Sequence, residues 1–260
     1  MFAHNKYRVI YLTCVAVLLY LIKWWYSHAS LEQMQWIMLP LAKLLGIFLP
    51  GSFELQVSGE WLHADLGIIL VKGCSGMSFF MMSFAAYAFV FFVQQSQVSK
   101  EILFNSAKIT VYAIAAAWLT TLIVNVLRVL LAMSFISNPV LVDWTGLSDE
   151  SLHRLAGLLV YFSALFLQMR IATIINEKEA YLTSAVIMVA MLIFIPLLTG
   201  NAFNDLEKFT RHCVTLISFI SLFGLSLTLI MGKKLRTQRT INPLEGAEEW
   251  AEQWAERTAH

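Results

Sequence analysis

Long apolar runs alternate along the chain with short polar or charged breaks, and the lengths of the runs predict its elements. A first run from about Val9 to Leu21 follows His4, Lys6 and Arg8 and ends in Lys23-Trp24-Trp25-Tyr26, a cluster suited to a membrane–water interface. No small-residue cleavage site follows it, so it reads as a retained helix and not a signal peptide. Further spans are predicted over Met77 to Val93, Ile109 to Ile136, His153 to Leu167, Tyr181 to Leu198 and Cys213 to Met231. Gln35 to Leu49 contains Pro40 and Lys43 and is about 15 residues long against the ~20 of a full span, so it reads as re-entrant or interfacial.

The polar breaks differ in character. Between Phe53 and Lys72 the period changes to two, with Phe53, Leu55 and Val57 alternating with Glu54, Gln56 and Ser58. Ser58-Gly59-Glu60 is a turn and Gly67 to Val71 a second short strand, which makes a small β-hairpin. Open strands cannot face lipid, so this hairpin must be watery or covered by protein. Gln94-Gln95-Ser96-Gln97 to Lys100-Glu101 is a polar loop, and Asn138-Pro139 ends the next span ahead of a loop with Asp143, Trp144 and Gly146. Ser148-Asp149-Glu150-Ser151 reads as a helix start with acidic residues in its first turn, and Arg170 and Glu177-Lys178-Glu179 close that helix. Thr199-Gly200-Asn201 through Arg211-His212 joins the last two spans. The tail opens with Gly232-Lys233-Lys234-Leu235-Arg236 and ends in an amphipathic stretch from Glu248 to Trp254, read as solvated or interfacial.

The pattern gives an α-helical polytopic membrane protein with about six transmembrane helices, a short re-entrant or interfacial segment and a small outer-side β-hairpin. Residues 1–232 form the membrane-embedded domain and 233–260 a cytoplasmic tail. Composition agrees, since 58% of the 260 residues are hydrophobic and only 13% charged, with a mean hydropathy of +0.68. The net charge of +1, with no basic stripe carrying interleaved aromatics, gives no sign of a nucleic-acid partner. Cys14, Cys74 and Cys213 are widely separated, show no metal-ligand spacing and are odd in number, which argues against a complete disulfide framework. Cys14 and Cys213 read as packing residues, and no cofactor or metal is expected.

Basic residues set the orientation. With an inner N-terminus, the cytoplasmic flanks carry Lys6, Arg8, Lys100, Lys108, Arg170, Lys178, Lys233, Lys234, Arg236 and Arg239. The outer segments hold Lys43, Lys72, Lys208 and Arg211, a bias that satisfies the positive-inside rule. Cys74, Arg128 and His153 then fall on the outer side, with both termini cytoplasmic.

These three residues carry the candidate chemistry. Cys74 lies in Val71-Lys72-Gly73-Cys74-Ser75-Gly76, where Gly73 and Gly76 permit a tight, positive-φ turn that can lift a side chain onto the first turn of a helix. A helix N-terminus favours negative charge there, and the competing reading is a cysteine that acts as a small hydrophobe. Arg128 lies within an apolar span, where a charge costs about 2.5–3.5 kcal/mol and usually faces a cavity or a partner. The alternative is a snorkelling anchor, since Asn138 follows about three turns later. Asn125 is on the same helical face as Arg128. His153 opens the next span and offers a proton carrier. Together they supply a nucleophile, a base and a fixed cation for an oxyanion or a substrate carbonyl, the needs of thiol acyl transfer.

Gly73-Cys74-Ser75-Gly76, then Asn125-Val126-Leu127-Arg128, then His153 at a span start, resembles the exosortase/archaeosortase family of membrane transpeptidases. The resemblance covers roughly Phe53 to Leu167 and rests on the ordered combination of short motifs. The compact length is similar to that of the smaller bacterial members, those called exosortase K. It implies a cysteine peptidase/transpeptidase of the bacterial inner membrane with its site facing the periplasm. Its partners would be exported proteins that end in a short motif, a transmembrane helix and a basic cluster, with membrane lipid around them. Cys74 would attack a peptide bond in that signal, Arg128 assist the carbonyl and His153 handle protons, with Gly73, Ser75, Gly76 and Asn125 in support. Met77-Ser78 after the glycine and the tail after Arg239 depart from the family pattern. Two other readings stay open. Gly73-Cys74-Ser75-Gly76 also fits the G-x-S-G of rhomboid serine proteases, with Ser75 as nucleophile. A non-enzymatic membrane scaffold or transporter subunit would leave Cys74 inert.

Overall fold

A computed structural model describes residues 2–95, 102–136, 149–173, 177–198, 200–203 and 205–241. The expected loops at 96–101 and 137–148, including the Asn138-Pro139 break, and the tail beyond residue 241 lie outside the described residues. The helices are α1 (Phe2–His28), α2 (Gln35–Phe48), α3 (Met77–Gln95), α4 (Ile102–Ile136), α5 (Asp149–Thr173), α6 (Glu177–Val189) and α7 (Leu206–Ile241). A π turn at Ala190–Phe194 and a last helical turn at Ile195–Leu198 extend α6 as far as the Pro196 region. Among the described residues, six stretches are long and apolar enough to cross a membrane: Val9–His28, Lys72–Phe91, Ala107–Phe135, Ser151–Ile171, Glu177–Leu198 and Phe209–Ile230. The protein is a helical polytopic membrane protein, as its runs predict.

The chain divides into two compact units, Met1–Phe209 and Thr210–His260. In the first, α3, α4 and α5 pack on one another, α1 lies against α3, and α2 against α4. Side chains sort as a lipid-facing bundle requires. The buried stripe of α4 is Ala113, Ala117, Thr121, Asn125, Arg128 and Ala132, spaced three or four apart, while Val111, Tyr112, Leu119, Ile123 and Leu127 point outward. Small residues let the helices approach closely, and polar ones bond across the seam. The Ser83 hydroxyl donates to Gln168 Oε1 at 3.0 Å, Gln168 Nε2 returns a bond to the Ser83 carbonyl at 3.1 Å, and the Tyr87 and Thr120 hydroxyls meet at 3.0 Å. The second unit holds most of α7, which runs unbroken to Ile241, so the expected tail boundary at 232/233 falls inside a helix.

Three local expectations change, while the segment over 35–49 is, as expected, too short to span: it is the helix α2, whose 14 residues rise about 21 Å against a ~30 Å hydrocarbon core and leave Trp36, Leu39, Ile47 and Phe48 exposed. Ile37, Met38, Leu41, Ala42 and Leu45 share its buried face, which packs on α4 and on the turn that carries Cys74. The hairpin is a three-stranded antiparallel sheet, β1 (Glu54–Leu55), β2 (Trp61–His63) and β3 (Ile68–Leu70), in the order β1-β2-β3. The added strand arises because Trp61-Leu62-His63 lies between two turns, the second closed by Gly67 at φ 63°. Trp61 also ties the sheet to α2, donating its indole N–H to Gln35 Oε1 at 2.9 Å. Glu177 and Glu179 begin α6 and do not end α5, and Arg170 at the end of α5 pairs with Glu177 at 3.3 Å. Carboxylates in a first helical turn complement the macrodipole. Finally, Cys14 is exposed on α1 and is not a packing residue.

Candidate active site

The turn that carries Cys74 is held from three sides. Lys72–Ser75 forms a single 3-10 turn between β3 and α3, closed by the Cys74 N–H on the Val71 carbonyl at 2.8 Å. The Lys72 ammonium donates to the carbonyls of Ser27 (3.3 Å) and Ala29 (2.7 Å) and lies 5.0 Å from the Tyr26 ring, which pins the turn to the C-terminal end of α1. Cations satisfy the free carbonyls of a helix end in this way. The Tyr26 hydroxyl donates back to the Lys72 carbonyl at 3.3 Å. From α4, Asn125 Nδ2 donates to the Cys74 carbonyl at 2.6 Å.

The two glycines are not equivalent. Gly76 has φ 76° and ψ 11°, a left-handed conformation that favours glycine, whereas Gly73 is not among the positive-φ residues. A Cβ at Gly76 would stand 2.9 Å from Asn125 Cγ and 3.1 Å from Thr121 Cγ2, while a Cβ at Gly73 would meet nothing within 4 Å. Only Gly76 therefore has the role expected of both. Cys74 also sits in the 3-10 turn before α3 and not on the first turn of that helix. Cys74 is half-buried. Ser75 is 1% exposed, and its hydroxyl accepts from the Met77 N–H at 3.4 Å, capping α3.

Arg128 points inward and does not snorkel. It is 7% exposed and its fork is divided between two helices. Nη1 donates to Tyr161 Oη at 2.9 Å and to Asn125 Oδ1 at 3.2 Å, and Nη2 meets His153 Nε2 at 2.6 Å. Tyr161 Oη in turn donates to Asn125 Oδ1 at 2.8 Å. A guanidinium has donors only, so His153 Nε2 accepts and the neutral ring carries its proton on Nδ1. On α5, His153, Gly157 and Tyr161 recur every four residues, which puts them on one face, and Arg128 Nε would lie 3.6 Å from a Cβ on Gly157.

The structure thus joins Asn125, Arg128 and His153 in one hydrogen-bonded cluster and ties that cluster through Asn125 to the Cys74 backbone. Tyr161 joins the cluster through Arg128 and Asn125, and Tyr26 reaches the Cys74 turn through the Lys72 carbonyl. Tyr161 and Tyr26 were not expected from the sequence. The one signal for Tyr161 was its register, eight residues after His153 on the same helical face. Among the described residues Arg128 has no carboxylate partner, and no group of three or more His, Cys, Asp or Glu is arranged to hold a metal ion. Compared with protein-family models, curated proteins and solved structures, the chain matches none of them.

Proposed function

We propose that the protein is a membrane-embedded cysteine peptidase/transpeptidase of the exosortase/archaeosortase type, which cleaves C-terminal sorting signals of exported proteins by thiol acyl transfer. The observation that carries this reading is Arg128, a buried guanidinium whose hydrogen-bond partners among the described residues are all uncharged, linked through Asn125 to the braced turn that carries the Cys74 thiol. A buried cation without a counter-charge is costly, and an anion that forms beside it is stabilised. An acyl-transfer reaction forms such an anion.

In this mechanism Cys74 Sγ bonds to the scissile carbonyl carbon as the thiol proton passes to His153. The carbonyl π electrons move to oxygen, where Arg128 receives the oxyanion. Protonation at Nε2 turns His153 from acceptor to donor and frees the Nη2 arm of Arg128 for that oxygen. Collapse breaks the C–N bond, His153 protonates the leaving amine, and an acceptor nucleophile resolves the acyl-Cys74. The bias of basic residues supports an outward-facing site with both termini cytoplasmic, and the resemblance implies a bacterial inner membrane. The buried, cap-forming hydroxyl of Ser75 supports Cys74 over a serine nucleophile.

The test uses Cys74→Ala and Ser75→Ala in cells that make an exported protein with a motif–helix–basic-cluster tail. Cys74→Ala abolishes processing at normal membrane levels, and Ser75→Ala keeps most of it. The reverse pattern would favour the rhomboid-like reading, and full processing in both variants would leave a scaffold.

A further inference from the structure

We infer that Tyr161 is the positioning residue of this site: its hydroxyl holds the Nη1 arm of Arg128 and the amide of Asn125 in the arrangement that receives an oxyanion. The inference rests on the acyl-transfer reading and goes beyond it by assigning the residue that orients the cation.

A tyrosine hydroxyl in an apolar bundle must find partners, and this one uses its donor and its acceptor capacity together. It accepts from Arg128 Nη1 at 2.9 Å and donates to Asn125 Oδ1 at 2.8 Å. The ring is clamped as well. It stacks on Phe79 of α3 with centroids 4.8 Å apart and planes at 25°, and Arg128 Cζ lies 5.5 Å from its centroid. Both Nη1 hydrogens are then committed, to Tyr161 and Asn125, and one Nη2 hydrogen is committed to His153. Of five guanidinium donors, the second Nη2 hydrogen and the Nε hydrogen have no partner among the described residues. The pinned arm therefore decides where the free donors point.

The same hydroxyl fixes the Asn125 amide. Oδ1 faces two donors, Tyr161 and Arg128, so Nδ2 is left to face the Cys74 carbonyl. Without the phenol, Oδ1 keeps only Arg128 as a donor, over the longer 3.2 Å contact. A flipped amide would set oxygen against the Cys74 carbonyl and release the turn. Tyr161 thus acts on the cation and on the thiol's backbone through one atom.

The test compares two electrophiles on the full chain in membrane vesicles, with Cys14→Ser and Cys213→Ser so that Cys74 is the sole thiol. p-Nitrophenyl acetate reacts through a tetrahedral oxyanion: the S–C bond forms, the C–O bond breaks, nitrophenolate leaves and the thiol proton goes to His153. Iodoacetamide alkylates the same sulfur by displacing iodide at a saturated carbon, with no oxyanion. Tyr161→Phe keeps the ring on Phe79 and should slow acetylation by about 10–100-fold, the scale of losing a supporting hydrogen bond to an active-site group. Alkylation should stay within about 2-fold, since reaching the sulfur needs no oriented cation. Phe79→Leu, which removes the stacked ring and keeps the hydroxyl, should slow acetylation less than Tyr161→Phe. Undiminished acetylation in Tyr161→Phe overturns the inference, and so does an equal fall of both reactions, which marks a merely structural role. A parent protein whose Cys74 acetylates no faster than in the unfolded chain would instead sink the acyl-transfer reading beneath it.

Discussion

The cluster around Arg128 and the small sheet that precedes Cys74 both bury polar side chains, on different terms. In the cluster, Asn125, Arg128, His153 and Tyr161 are bonded to one another across α4 and α5, and their sum is a positive charge without a carboxylate partner among the described residues. In the sheet, His63 is 0% exposed and sits edge-on to Phe53 at 5.0 Å, and neither ring nitrogen has a hydrogen-bond partner among the described residues. One region retains polarity as a directed charge. The other holds an imidazole as volume. Apolar surroundings penalise unpaired polar groups in both places, so the network around Arg128 offsets a cost that His63 simply bears. Substitutions in the cluster should therefore cost activity first, and substitutions at His63 should cost almost nothing.

Within the cluster, the largest effect is expected at Arg128. Arg128→Lys keeps the charge but presents a point cation in place of a planar fork that three side chains hold. Acyl transfer per inserted molecule should fall about 10²–10³-fold, the scale of losing an oxyanion donor, with normal insertion. A lysine variant with full turnover would return Arg128 to the role of an anchor and erase the contrast. The two glycines come next. Gly76→Ala meets a left-handed φ, at a cost of roughly 1–2 kcal/mol, and drives Cβ into Asn125. It should lower both thermal stability and Cys74 acylation, whereas Gly73→Ala, with open space around it, should leave both near wild type. Equal effects at the two positions would mean that the Asn125 contact does not brace the turn. The smallest effect is expected at His63→Leu, which removes an unpaired imidazole for a side chain of similar size. Stability should change by less than about 1.5 kcal/mol or rise, and acylation should stay within about 2-fold. A large loss of acylation there would bring the sheet into the site.

The same contrast explains what was legible in the sequence. Spans announce themselves by length, and Arg128 and Asn125 by polarity within an apolar run, so the fold class and the polar strip of α4 could be read directly. Tyr161 could not, because tyrosine is unremarked in an apolar span and its partners lie 33 and 36 residues away. β2 has three residues, too few to show a period, and its existence depends on pairing with both neighbours. Gly73 and Gly76 look alike in sequence, and the left-handed φ of Gly76 and the approach of Thr121 and Asn125 from α4 separate them. The 14 residues of α2 gave a correct warning that they are short for a span, but their burial depends on a face of α4 far along the chain.

The central claim is that Cys74 becomes the acyl carrier of this cluster. The most direct measurement is mass-spectrometric mapping of the protein after acid quench during turnover of a tail-bearing exported substrate. The account predicts a hydroxylamine-labile adduct on the peptide that contains Cys74, equal in mass to the substrate fragment on the N-terminal side of the cut, and absent in Cys74→Ala. Cleavage that proceeds with no adduct on Cys74, or with the adduct on Ser75, would contradict it.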